Sequence, residues 1–108
     1  MQPVTAAWLN ERGDLHDARV SGVRTVGTSV EIMLDDEWAS LRGLSESEGE
    51  EAPGTLVISN FIAIDGDLGA ANGAWVSEVR LCGDELNLVF CDQPALTFRA
   101  PSAWWRSA

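Results

Sequence analysis

The residues of this chain that could do chemistry are few. They are one histidine, two cysteines, several short carboxylate runs and five tryptophans. His16 stands beside Asp17, a doublet that serves as a metal clamp in phosphohydrolases when further histidines complete the ligand set. The chain has no second histidine, which excludes that chemistry. A serine-histidine-aspartate triad lacks its usual G-x-S-x-G turn, which would hold a serine oxygen forward. No GxGxxG, P-loop, CxxC or HExxH pattern occurs either. Two roles remain for His16: a backbone hydrogen bond where a helix gives way to a strand, or a pH-sensitive, partner-contacting side chain together with Asp17.

Asp35-Asp36-Glu37 crowds three carboxylates at the end of a strand-like run. Such crowding can raise one pKa, as an acid catalyst needs, although hydrated surface runs look the same. Asp65-Gly66-Asp67 has the opening of a calcium loop but not its later oxygen ligands. Aspartate and glycine are also what tight turns require. Cys82 and Cys91 flank an expected hairpin turn, which sets them about 20 Å apart along two strands. That is beyond disulfide reach, so two free, buried thiols are expected, as in a reducing compartment.

Trp8, Trp38 and Trp75 read as core or lid residues. Trp104 and Trp105 are neighbours, and neighbours on an extended strand face opposite ways, so at least one is exposed and available as an interface anchor. Residues 45–54 read as a flexible acidic loop, in which Glu46, Glu48, Glu50 and Glu51 could meet a cationic partner.

The elements that must hold these residues are mostly strands. A short helix is expected over 3–12, with Val4, Ala7 and Trp8 on one face, Pro3 in its first turn and Gly13 at its stop. A strand over 18–26 turns back at Gly27-Thr28. Val30, Ile32 and Leu34 then alternate with Ser29, Glu31, Met33 and Asp35, giving one core face and one wet face. A less regular stretch follows at Trp38 and Leu41. Leu56–Ile64 reads as one central strand, interrupted chemically by Asn60. Gly83-Asp84 closes a hairpin between Trp75–Leu81 and Leu86–Phe90. Leu96–Ala100 is a final strand, and residues 102–106 a helical turn. The pattern implies a mainly β fold: an antiparallel meander closed as a small barrel or sandwich, with a short N-terminal helix, in one domain spanning 1–108.

With 108 residues and 45% hydrophobic content the chain can build one core without metal or disulfides. Its net charge is −10. That opposes binding to nucleic acid and to anionic membranes, both of which require cations, and it suits a basic protein partner. The cations are all arginine and tyrosine is absent, a bias typical of GC-rich bacterial genomes. The first ten residues lack the basic and apolar segments of a signal peptide, so a cytoplasmic protein is expected.

Leu15-His16-Asp17-Ala18-Arg19-Val20, followed by Val30–Leu34, resembles the opening of small bacterial all-β proteins of unknown function, some of them immunity proteins of toxin systems. The resemblance implies a β-rich fold and binding to a partner protein, with no catalytic residue and no cofactor. The expected function is therefore a non-catalytic, immunity-like protein-binding module that meets a basic protein. An open sheet edge makes a homodimer a further expected assembly. Two other readings stand beside it. One is a small barrel binding an apolar ligand among Trp75, Leu88, Phe90 and Phe98. The other is an enzyme using acidic residues.

Overall fold

The structure, a computed structural model, describes residues 1–35 and 54–107. Within them two antiparallel sheets pack face to face as a sandwich. Strands β1 (Gln2–Pro3), β2 (Arg19–Val26), β3 (Ser29–Asp35), β4 (Gly54–Ser59) and β9 (Ser102–Ser107) form one sheet in the order β1-β9-β4-β3-β2. Strands β5 (Ala63–Asp65), β6 (Val76–Cys82), β7 (Glu85–Phe90) and β8 (Leu96–Arg99) form the other in the order β5-β8-β7-β6. The expected mainly β, antiparallel fold is present, and the sheets do not close into a barrel. The stretch at Trp38 and Leu41, Asp36, Glu37, and 45–53 of the expected acidic loop lie outside the described residues.

Both expected hairpin turns form. Gly27 and Gly83 take φ of +61° at the first loop position, while Thr28 and Asp84 keep negative φ, as in a type II′ turn. The alternation in β3 works as read on its inner side: Val30, Ile32 and Leu34 are all buried. Strand register carries that face across the sheet, where Val23, Ile32, Leu56 and Trp105 lie in one row. Opposite them, Val79, Leu86, Leu88, Leu96 and Phe98 complete the core.

Several expectations change. Leu56–Ile64 is not one strand. It breaks at Asn60, whose φ is +57°, and continues as β5 in the other sheet. Beside it β8 runs into β9 through Ala100, with φ +52°. Because β4 pairs with β9 and β5 with β8, one two-stranded ribbon bends through both sheets. Strands that switch sheets in this way form the corner of a sandwich. The Ile62 N–H donates to the Arg99 carbonyl at 3.0 Å across the bend, and Ile62 itself is left exposed. The expected helical turn at 102–106 is strand β9, because its backbone completes the ladder beside β4.

The N-terminal helix α1 (Ala6–Glu11) is shorter than expected. Thr5 caps it, with Oγ1 accepting the Trp8 N–H at 3.1 Å, and Pro3 belongs to β1. Leu9 is its buried residue, rather than Ala7. Trp8 docks at 5.3 Å from the Trp105 ring, and the Arg12 guanidinium sits 5.0 and 5.1 Å from the two rings. Gly54, expected in a loop, starts β4 and lies against the Trp105 indole. A Cβ added there would overlap that ring.

The outer face of β3 is not uniformly wet, because Glu31 is buried there. Arg106 donates to its carboxylate at 2.9 and 3.4 Å, and Arg24 donates at 2.9 Å from Nε. This bridge ties β2, β3 and β9 together over β4. The bonds from Arg106, then from Arg24, hold the Glu31 carboxyl below its ordinary value of 4.5 against the opposing effect of burial.

Two outcomes follow. Gly54→Ala should lower stability by about 1–3 kcal/mol in a urea titration, because the indole has no room to retreat. Glu31 contributes stability at pH above its unfolded value, and that contribution is lost as pH falls through the lower folded value. Melting temperature measured from neutral to acidic pH should therefore fall more steeply in the native chain than in Glu31→Gln. Parallel curves would refute the bridge.

Candidate functional site

Gly13, Asp14 and Leu15 all take positive φ, +61°, +57° and +57°, so the chain makes a left-handed turn after helix α1. Asp17 follows at +68°. A non-glycine residue there costs about 1–2 kcal/mol, least for aspartate. Leu15 repays it by complete burial, which contributes about 1.5–3 kcal/mol. The turn delivers the chain to a short backbone ladder between the two sheets. Asp17 N–H donates to Val76 O at 3.0 Å and Val76 N–H to Ala18 O at 2.8 Å. Val20 N–H donates to Ala74 O at 2.9 Å and Gly73 N–H to Val20 O at 2.9 Å.

His16 serves this seam. Its Nδ1 lies 2.8 Å from the Ser77 carbonyl oxygen, so Nδ1 carries hydrogen and donates. Asp17 Oδ2 is 3.5 Å from Nε2, and both side chains are about half exposed. An exposed pair of this kind contributes little. The pair therefore closes the outside of the seam.

The ladder stops at Val20 because β2 carries a bulge. Register shifts between Val20 and Gly22, leaving Ser21 as the extra residue. A bulge increases local twist and ends pairing. Beyond it β2 and the segment 68–73 diverge, and two adjoining clefts open between them. One, of about 380 Å³, is lined by Arg19, Val20, Ser21, Asp35, Asn72 and Gly73. The other, of about 300 Å³, is lined by Val23, Arg24, Thr25, Leu68, Gly69 and Asn72. Asn72 belongs to both.

The far wall is braced. Asp67 Oδ1 accepts the Gly69 and Ala70 N–H groups at 3.0 and 3.4 Å. Gln93 Nε2 donates to Ala70 O at 2.9 Å, and Ala71 is fully buried. Asp65-Gly66-Asp67 thus acts as a turn and cap. Among the described residues no group of three or more histidine, cysteine, aspartate or glutamate side chains is placed to hold a metal.

Arg19 lines the larger cleft, and its guanidinium lies 5.8 Å from the Trp75 ring centroid. Trp75, expected in the core or as a lid, is 41% exposed. Its strand bridge to Arg19 at the seam turns the indole outward. Leu88, Phe90 and Phe98 are buried in the core, so these four residues do not line one chamber. Arg19 faces Asp35 in register, yet no carboxylate among the described residues lies within 4.0 Å of it.

The other expected site residues are scattered. Trp105 is 1% exposed and belongs to the core, so it presents nothing to a partner. Trp104, opposite Val57 on the outer face, is 38% exposed. Glu46, Glu48, Glu50 and Glu51 lie outside the described residues. Cys82 and Cys91 are free as expected, but both are exposed. Of the residues in the groove, Gly69 and Asn72 gave no chemical signal in the sequence. Arg19 carries none beyond its place in the Leu15–Val20 stretch, and its neighbour Trp75 reads as core or lid.

Scans of the chain against protein-family models, curated proteins and solved structures found no match.

His16→Ala should lower the urea midpoint by an amount worth at most about 1 kcal/mol, with unchanged slope, since one partly solvated hydrogen bond is lost. A gain in stability would show that the seam does not need it.

Proposed function

We propose that this chain is a non-catalytic protein-binding module that docks an extended segment of its partner alongside β2. The observation that supports it is a strand edge that, among the described residues, is paired at its start only and faces a braced groove. Sheet edges are normally shortened or covered. β1 spans two residues and β5 three. The edge of β6 is flanked by His16, the left-handed turn and helix α1. β2 has eight residues, and the ladder covers its start only.

Backbone alternation says which groups are available. Val20 turns its N–H and C=O away from β3. With the bulge adding one residue, Val23 and Thr25 do the same, and both line the smaller cleft. An added strand would hydrogen-bond to these groups and place alternate side chains over Leu68 and Asn72. The braced wall means that little is left to order on binding.

The net charge of −10 favours a partner whose overall surface is basic, by speeding encounter. The reading agrees with the partner-binding role that the resemblance to immunity-like proteins implies. A cytoplasmic setting belongs to the same proposal, supported by two exposed thiols without a disulfide. Among the described residues no helix is long and apolar enough to cross a membrane.

The test uses proline. At Thr25 it removes an outward N–H and leaves the β3 ladder intact, so the fold should survive. Peptides selected against the native chain should slow amide exchange at Val23 and Thr25. They should fail to bind Thr25→Pro or Asn72→Trp, which sets an indole where the two clefts adjoin, while circular dichroism stays native. Peptides that bind these variants normally would overturn the proposal.

A further inference from the structure

The groove has one closed end, and Arg19 stands there. The Gly73–Val20 hydrogen bond occupies the edge of β2 immediately before the bulge. A strand lying against Val23 and Thr25 cannot continue past it, because Gly73–Trp75 already holds the next pairing positions. A segment that reaches this point must leave the sheet or end.

What lines that end is suited to a terminus. Arg19 is exposed and is drawn to an aromatic face instead of a carboxylate, in a chain with 17 acidic residues. Arg24, Arg80, Arg99 and Arg106 each have a carboxylate within 4.0 Å. A guanidinium beside an aromatic ring spends none of its five N–H donors on that contact, so they remain able to take two carboxylate oxygens. Asn72 and Ser21 add polar groups to the same cleft. The Ser21 hydroxyl already donates its one hydrogen to Met33 O at 3.3 Å, so the donors for a carboxylate are Arg19 and Asn72. The Asn72 side chain can donate two hydrogens.

Asp35 also lines this cleft. With Arg19 it makes the local charge close to neutral, so a general positive field does not attract the ligand. Recognition would have to come from direct, two-pronged contact with Arg19.

Resting on the strand-docking reading, we infer that the groove takes the C-terminal end of a partner chain. Its α-carboxylate meets Arg19 and Asn72 in the larger cleft, and its preceding residues pair with Val23 and Thr25 in the smaller one.

The experiment screens the full chain against two short random-peptide libraries, one with free C-terminal carboxylates and one with C-terminal amides. Binders should come from the free-acid library. Amidation should weaken each by about tenfold or more, as loss of a paired charge does. Arg19→Lys keeps the charge but loses the fork, and should weaken binding comparably. Asn72→Asp, at a surface position, should do the same by repulsion while the melting temperature stays native. Binders that tolerate amidation and Arg19→Lys, yet still fail on Thr25→Pro, would overturn the terminal-carboxylate inference and leave strand docking standing. Binders indifferent to Thr25→Pro, or none from either library, would overturn both.

Discussion

The sandwich depends on four backbone hydrogen bonds that join residues 17–20 to residues 73–76. They are the place where the free sides of the two sheets meet, and the chain accepts local strain to make them. Three consecutive residues at positive φ aim Asp17 and Ala18 at the seam. Burial of Leu15 offsets that cost, because a leucine side chain removed from water contributes more than one left-handed residue loses. At the opposite side no such ladder is needed. There the same two strands pass from one sheet to the other, and the covalent chain itself makes the joint through Asn60 and Ala100.

The seam also decides where a site can exist. Had pairing continued along β2, the edge would be closed and the molecule nearer to a barrel. The bulge at Ser21 stops it after Val20, and the twist it adds separates β2 from 68–73. One inserted residue therefore converts a closing edge into a groove with a blocked end. Arginine and a bulge are also devices by which sheets discourage pairing with other chains. Here they stand beside a wall fixed by Asp67, Gln93 and buried Ala71, a rigidity that deterrence alone does not require.

Charge is distributed in keeping with this division. Arg24 and Arg106 are used internally, on Glu31, the one buried carboxylate among the described residues. Arg12 is used between two tryptophans that tie helix α1 to β9. Arg19 remains at the surface against Trp75, where the seam holds both residues in place. The His16–Asp17 doublet, the most suggestive pair in the sequence, closes the outside of the same seam by a bond to Ser77.

Local rules, which do not depend on the rest of the molecule, were enough to read much of this from the sequence. Period-2 alternation placed Val30, Ile32 and Leu34 inside, Gly27 and Gly83 marked the hairpins, and the opposition of Trp104 and Trp105 follows from strand geometry alone. Tertiary structure decided the rest. Which of the two tryptophans is buried depends on pairing with Leu56, a partner far away in sequence. The break at Asn60, the strand at 102–107, the burial of Glu31 and the exposure of Trp75 all depend on which strand lies alongside. So does the groove, since its two walls come from segments about fifty residues apart and meet only because the sheets join at the seam. A sequence pattern reports the side on which a residue lies; what it lies against is set by long-range register, which no local spacing encodes.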